Sequence, residues 1–370
     1  MKILVINNSF WNYYNFRMNL LSEIKQSGNC EIHLAAPLDK FYKEVDKKFT
    51  THIVNFKSKS VNPILELKLF LDVYFLVKKI NPDVILSFTV KPNIYGGIIA
   101  NYFNIPIINN ISGLGTTFIK HDYKTVIVKL LYKLSFSKYS YILFQNRYDF
   151  NIFKENNLLN VSQYNVIPGS GINTSKWKNH DCNMNKGKNI LFCARLIKDK
   201  GINEYLDAAK ILKKKYKDVN FNVVGIIPSD NRTSISPDYF QKYISSNIIN
   251  YLGESNNMKK TIVDHDVCVL PSYREGMSRF LLESASMSKP IVTTNVPGCK
   301  DIVKDGVNGY LCNPRDSRDL VEKIDKILSI SEEERVKFGF EGRELMKNLF
   351  EENLVIQNYI NILKNIKYSI

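Results

Sequence analysis

Val267-Cys-Val-Leu-Pro-Ser-Tyr-Arg-Glu-Gly-Met-Ser-Arg-Phe-Leu-Leu-Glu283 runs from four apolar residues, through a Glu275-Gly276 turn, into a segment of helical periodicity. The apolar run reads as a buried parallel strand, so the stretch is a strand–turn–helix unit. The first turn of such a helix leaves amide N–H groups unpaired and carries partial positive charge, which suits a phosphorylated ligand. With a helix start near Met277, Glu275 stands just before the helix and Glu283 lies roughly 12 Å further on at 1.5 Å per residue. That spacing is too long for a hydrolytic carboxylate pair. It fits a ligand with hydroxyls at both ends and a diphosphate between them.

The same alternation extends in both directions. Strand-like runs occupy 2–6, 31–36, 84–90, 105–111 and 141–145, separated by helical patterns such as 16–27, 63–80 and 92–103. After Pro168-Gly-Ser-Gly171 the alternation restarts at 190–193, 221–224, 248–252, 267–270 and 290–293. The expected fold class is α/β, with two doubly wound Rossmann-like domains facing each other across a cleft. The expected limits are 1–172 for the first domain, 173–188 for a polar linker and 189–350 for the second domain. A last helix within 351–370 is expected to pack back on the first domain.

At 370 residues, 44% apolar and 24% charged, the chain has an ordinary globular composition with room for two cores. Met1-Lys-Ile-Leu-Val-Ile6 reads as a first buried strand rather than a leader, and no run is apolar for the roughly 18 residues a membrane span needs. The six cysteines show no CxxC pairing, in keeping with reduced thiols and a cytoplasmic location. Net charge is +15, and it is concentrated: residues 1–180 hold 22 Lys and Arg against 11 Asp and Glu, the remainder 29 against 25. A basic half implies an anionic partner. Between Lys124 and Tyr141, Lys124, Lys129, Lys133 and Lys138 alternate with Val126, Ile127, Leu130, Leu131, Leu134 and Phe136, the pattern of a basic amphipathic helix on an anionic membrane. Lys57–Lys79 has a similar mixture, and a core helix with a solvated lysine face accounts for either segment equally well.

Arg195 and Lys200 leave the first strand of the second half on a loop where bidentate Arg and point-charge Lys can neutralise a diphosphate, converging with the Glu275-Gly276 turn. Arg195…Lys200-Gly201, Leu270-Pro-Ser-Tyr-Arg-Glu275-Gly…Leu282-Glu283, Pro290-Ile-Val-Thr-Thr-Asn-Val-Pro-Gly298 and Asp305-Gly-Val-Asn-Gly309 together resemble the retaining nucleotide-sugar glycosyltransferases of family 4, which have two Rossmann-like domains in the GT-B arrangement. In the first half, Trp11-Asn-Tyr-Tyr-Asn-Phe-Arg17, Thr89-Val-Lys-Pro-Asn-Ile-Tyr-Gly96, Ile108-Asn-Asn-Ile-Ser-Gly-Leu-Gly-Thr116 and Val166-Ile-Pro-Gly-Ser-Gly171 are similar to the branch that builds O-antigen or capsule repeat units on a polyprenyl diphosphate.

The resemblance implies roles. Glu283 holds the nucleotide ribose, Glu275 meets the donor sugar, Arg195 and Lys200 bind the diphosphate, and Gly276, Met277 and Ser278 offer it backbone N–H groups. Glu275, Arg195 and Lys200 form the expected catalytic set, and Arg17, Lys91, Asn110, Ser112 and Gly113 the expected acceptor side. It further implies a UDP-sugar donor, a polyprenyl-diphosphate-linked acceptor, no metal or other cofactor, and peripheral attachment to the inner face of the cytoplasmic membrane. Where many family members carry His after the fourth and fifth strands, this chain has Thr89, Lys91, Asn110 and Ser112. A front-face retaining mechanism tolerates the missing base, because the departing phosphate can take the acceptor's proton.

Asp264-His265-Asp266 imitates a metal-binding DxD, but it directly precedes the buried 267–270 run, so Asp266 reads as a strand-start residue. The Asp305–Gly309 segment reads as a structural, hairpin-like turn. Gly113-Leu-Gly115 lacks the third glycine of a dinucleotide loop. A nucleotide-sugar epimerase of the same architecture would need acid/base sets absent from the motifs. A basic nucleic-acid-binding protein would explain the charge but not two glutamates framing an anion site, so no nucleic acid is expected as partner.

Overall fold

A computed structural model describes all residues except 56–61, 115–122, 138, 160–162, 180–186, 230 and 370. The chain divides into two units, Met1–Ser170 with Asn353–Ile370, and Gly171–Glu352.

In the first unit, Ile3 and Val5 point to one face of the opening strand and Leu4 and Ile6 to the other, and all four are buried. A strand apolar on both faces belongs at the centre of a parallel sheet. The elements run β1 (Lys2–Ile6), α1 (Phe10–Phe16), α2 (Met18–Gly28), β2 (Glu31–Ala36), α3 (Tyr42–Asp46), β3 (Thr50–Ile53), α4 (Pro63–Ile80), β4 (Val84–Phe88), α5 (Val90–Phe103), β5 (Ile107–Ile111), α6 (Tyr123–Ser135), β6 (Ser140–Phe144), α7 (Arg147–Glu155) and β7 (Tyr164–Val166). The sheet order is β3-β2-β1-β4-β5-β6-β7, all parallel, with Ile3 opposite Ile32 on one side and Val84 on the other. The strand order therefore reverses between β1 and β4, the position where such sheets bind ligands beyond their carboxyl ends.

One face of this sheet is covered by α2 and by the last helix of the chain, α14 (Glu352–Ser369), which contributes Val355, Ile356, Tyr359 and Leu363 to the core around Ile3 and Val5. Aliphatic side chains buried this fully each contribute roughly 1.5–3 kcal/mol. The other face is covered by α4 and α5 over Leu4, Ile6 and Ile107, and by α6 and α7 over Ile111, Ile142 and Phe144.

The second unit runs β8 (Asn189–Cys193), a 3-10 turn (Lys198–Lys200), α8 (Ile202–Lys215), β9 (Asn220–Val224), α9 (Pro237–Ser245), β10 (Asn250–Tyr251), α10 (Met258–Val263), β11 (Val267–Leu270), α11 (Arg279–Ser286), β12 (Ile291–Thr294), β13 (Gly309–Cys312), α12 (Ser317–Ser329) and α13 (Glu332–Leu349). Its parallel sheet is ordered β10-β9-β8-β11-β12-β13, so the reversal falls between β8 and β11.

Several expectations need correction. The pattern at 16–27 is α2, and a separate α1, unforeseen, precedes it and meets it at Arg17, the C-cap of α1. The edge strand expected at 248–252 shortens to two residues, and β3, β7 and β13 join the sheets unforeseen. Asp305–Gly309 is a turn but not a hairpin, because β13 pairs parallel with β12. The described part of the expected linker 173–188 belongs to the second unit. There Ile172 N–H donates to Phe350 C=O at 2.7 Å, Glu351 accepts from the Thr174 hydroxyl, and Trp177 packs on the core.

Candidate functional site

At the reversal point of the second sheet, the loops leaving β8, β11 and β12 are laced together. Tyr273 N–H donates to Asp199 C=O at 2.9 Å, and the Ser272 hydroxyl reaches the same oxygen at 3.2 Å. Gly201 sits at φ +74 against Pro271, where an added Cβ would lie 2.0 Å from the Pro271 carbonyl oxygen. Only glycine fits that close approach. From the β12 side, Glu275 N–H donates to Pro297 C=O and Ser278 N–H to Gly298 C=O, each at 3.3 Å.

This lacing brings together most of the residues singled out from the sequence. Lys200 Nζ meets Glu275 Oε1 at 2.5 Å, both side chains being largely buried, while Arg195 stays exposed on the same loop. The helix begins later than Met277: Ser278 is the N-cap of α11, and its hydroxyl accepts from Leu281 N–H. Serine favours that position and methionine does not. With its own N–H committed to Gly298, Ser278 is a cap in this structure rather than a ready anion donor. Gly276 and Met277 remain in the turn, half-buried.

Glu283 lies one turn into α11, 8% exposed. Its Oε1 accepts from Arg279 Nε at 2.8 Å, and Arg279 Nη1 donates to Gly171 C=O at 2.7 Å. Burial pushes the Glu283 carboxyl above its usual range, while Arg279, and more weakly Lys176, pull it back down. Arg279 escaped the sequence reading, although an Arg four residues before a Glu on one helix face was the available signal.

The acceptor-side residues fare differently. Asn110 is fully buried: its amide donates to the Tyr359 hydroxyl at 2.7 Å, and its oxygen accepts from Ser112 and Gln145, each at 3.0 Å. Arg17 is 4% exposed, its guanidinium 4.4 Å over the Phe88 ring, so it is no surface cation. Lys91 pairs with Glu66 at 2.6 Å, and Tyr95 donates to the other Glu66 oxygen at 2.6 Å. Long-range partners, Glu66 from α4 and Tyr359 from α14, thus satisfy groups expected to face a ligand. Gly113 adopts φ +127, and Thr89, which opens α5 beyond β4, adopts φ +73, a conformation β-branched residues rarely take.

Asp266 Oδ2 accepts from the N–H groups of Lys188 and Asn189 at 3.0 and 2.9 Å, fixing the start of β8. Among the described residues, no three His, Cys, Asp or Glu side chains are grouped to hold a metal. None of the helices described is long and apolar enough to cross a membrane. Lys138 lies outside the described residues, as does the side chain of Lys124.

Two parallel sheets, each with a strand-order reversal point, make this a doubly wound α/β architecture, with a lysine–glutamate pair and a buried carboxylate at the second reversal point. Residues 2–146 match the family described as Glycosyl transferase 4-like, and residues 175–345 match Glycosyl transferases group 1. The chain belongs to these glycosyltransferases, with the GT-B fold.

It is 28% identical to the N,N'-diacetylbacillosaminyl-diphospho-undecaprenol alpha-1,3-N-acetylgalactosaminyltransferase of Campylobacter jejuni, over 99% of this chain and 100% of that one. It is 26% identical to the capsular polysaccharide biosynthesis glycosyltransferase CapM of Staphylococcus aureus, over 90% and 89%. HepE of Anabaena, solved with UDP-glucose, has the same fold at TM-score 0.80 and 16% identity, covering 99% of this chain and 100% of HepE.

Proposed function

We propose that this glycosyltransferase moves a hexose or N-acetylhexosamine from a UDP-sugar to a saccharide carried on a polyprenyl diphosphate, with retention of anomeric configuration, in bacterial surface-polysaccharide assembly such as O-antigen or capsule. The observation that carries the reading is the convergence of Arg195, Lys200, Glu275 and the α11 start at the β8/β11 reversal point. The Campylobacter relative's undecaprenyl-diphosphate acceptor and the UDP-glucose held by HepE support the substrate classes.

In this reading Glu283 accepts hydrogen bonds from the ribose hydroxyls. Lys200 and Arg195 take up the charge that grows on the departing diphosphate, and Glu275 is released from Lys200 to orient the donor sugar. As the C1–O bond to the diphosphate breaks and the acceptor hydroxyl attacks from the same face, the leaving phosphate oxygen takes the acceptor's proton. Catalysis then rests on positioning and on fixed charge at the leaving group, with no metal required.

The enzyme meets its lipid-linked acceptor as a peripheral protein at the cytoplasmic membrane face. On α6, Thr125, Tyr132 and Ser135 face the core, while Val126, Ile127, Leu130 and Leu134 are exposed beside Lys129 and Lys133. On α4, Ile64, Leu67, Leu71 and Phe75 form a second exposed apolar stripe. Apolar anchors among cations favour an anionic lipid surface.

The deciding experiment is a screen of nucleotide sugars against synthetic polyprenyl-diphosphate saccharides, with the product anomer read by NMR. A retained configuration with a UDP donor supports the reading, and an inverted linkage or a strict need for another nucleotide refutes it.

A further inference from the structure

The chain passes between its two units at 170/171 and again at 352/353. Within the second unit, the residues beside both passages are tied to one another. Ile172 and Glu351 form a parallel bridge, with Ile172 N–H donating to Phe350 C=O at 2.7 Å and Glu352 N–H to Ile172 C=O at 3.0 Å. This strap is also fastened to α11. The Ser286 hydroxyl donates to Trp177 C=O at 2.7 Å. Arg343 donates to the carbonyls of Trp177 and Thr174, each at 3.1 Å, and to that of Ser286.

Those contacts hold the far end of α11. At its first residue a single side chain makes the equivalent link, since Arg279 bonds Glu283 through Nε and the Gly171 carbonyl through Nη1, with its guanidinium 6.0 Å from the Trp177 ring centre. Two fork positions of one planar guanidinium fix the carboxylate relative to the strap, a geometry that a lysine ammonium does not reproduce.

We propose that Arg279 is a positioning residue for the donor: it holds the Glu283 carboxylate by anchoring it to the 171–177 strap, so that nucleotide occupancy and the order of that strap are coupled. The proposal rests on Glu283 as the ribose acceptor. Its physical basis is a shared acceptor: Arg279 and the ribose hydroxyls both donate to the Glu283 carboxylate, so the carboxylate that Arg279 holds in place is the one the hydroxyls meet, and Arg279 in turn holds Gly171. Coupling of this kind is reciprocal, so loosening the strap weakens nucleotide binding as nucleotide tightens the strap.

Charge supports the geometry. The groups facing Glu283 are Arg279 from its own helix, Lys176 from the strap and the Cys193 thiol at the end of β8. Arg279 provides the main pull against burial, so its removal raises the Glu283 carboxyl further. The carboxylate form is the one that accepts from two hydroxyls. An Arg279→Met enzyme therefore loses nucleotide affinity at a higher pH than wild type as the solution is acidified.

The experiment uses the full chain and whichever of UDP, GDP or ADP the wild type binds by calorimetry. Arg279→Met is expected to weaken that nucleotide about tenfold or more, a difference of about 1.4 kcal/mol. Its acid-side loss of affinity is expected to move to higher pH, and Arg279→Lys is expected to restore the pH profile but not the full affinity. Backbone hydrogen exchange across 171–177 should slow on nucleotide addition in wild type and not in Arg279→Met. An Arg279→Met protein with wild-type affinity and pH profile, or with nucleotide protection of the strap intact, overturns the proposal. A wild type that binds no nucleoside diphosphate overturns the donor-site reading instead.

Discussion

Gly298→Ala tests whether the β12 loop sets the Glu275-Gly276 turn. The residue sits at φ +77, and a Cβ there would lie 2.6 Å from Glu275 O, 2.7 Å from Gly276 O and 2.8 Å from Glu275 C. These are main-chain atoms, unable to swing aside as a side chain would, and their turn is tied to the same loop through Glu275 N–H and Ser278 N–H. Gly306 is the matched control: its φ is +73 and nothing lies within 4 Å of its hypothetical Cβ. Both alanines suffer the left-handed backbone cost of about 1–2 kcal/mol. Gly298→Ala adds overpacking strain of about 1–3 kcal/mol, for a total near 2–5 kcal/mol.

Urea unfolding in a Trp11→Phe background, where Trp177 is the remaining tryptophan and reports on the second unit, measures the difference. The donor KM of Gly298→Ala should also rise while that of Gly306→Ala stays near wild type, because the displaced atoms belong to Glu275 and Gly276. Equal unfolding midpoints for the two variants, with equal donor KM, would refute the idea that van der Waals contact with Gly298 places the turn.

Replacing Glu283 by Ala should weaken nucleotide binding by about 1–3 kcal/mol in calorimetry through lost charge-assisted hydrogen bonds, and unchanged affinity removes the ribose assignment. Transfer should continue in excess EDTA; complete loss restored by Mn²⁺ would bring the Asp264–Asp266 segment back into consideration. Burial raises the thiols of Cys193, Cys299 and Cys312 to about 12 and that of Cys268 to about 11. In a Cys182→Ser protein at pH 8, thiolate at these four sites is on the order of one part in a thousand or less, so maleimide should label them only after unfolding. Leu130→Glu/Leu134→Glu and Leu71→Glu/Phe75→Glu should each reduce sedimentation with anionic vesicles while leaving nucleotide affinity unchanged, and equal weak binding of wild type to anionic and neutral vesicles rules out this face.

The central strands were legible because they are apolar on both faces. Ile3–Ile6, Ile190–Phe192 and Val267–Leu270 stand out against any polar background. Edge strands were not. Thr50-Thr-His-Ile53 and Tyr164-Asn-Val166 are short, half-exposed and polar, and they become strands only because a neighbour offers its hydrogen bonds.

Of the residues proposed to hold the donor, Glu275 to Glu283 were legible for a related reason: a strand, a Glu-Gly turn and a helix lie within one continuous stretch, whereas Lys200 meets Glu275 from 75 positions away. The residues expected on the acceptor side were not, since one partner of Asn110 stands 249 positions away in Tyr359 and a partner of Lys91 stands in α4. Composition and periodicity carry no trace of such pairings. Arg279 falls between these cases, with half of its contact pattern visible as an i,i+4 pair and the other half, to Gly171, hidden in tertiary structure.

Tyr359 also bears on how the chain is made. A ribosome adding about 5–20 residues per second spends roughly 10–40 s on residues 171–352 between finishing the first unit's sheet and delivering its last helix. During that interval the sheet lacks the cover that Val355, Ile356, Tyr359 and Leu363 will give to Ile3 and Val5, and the Asn110 amide N–H lacks the Tyr359 hydroxyl. The first unit is thus completed last, and a chain truncated before Asn353 would leave an apolar sheet face and a buried amide exposed together, the surface on which chaperones and aggregation compete.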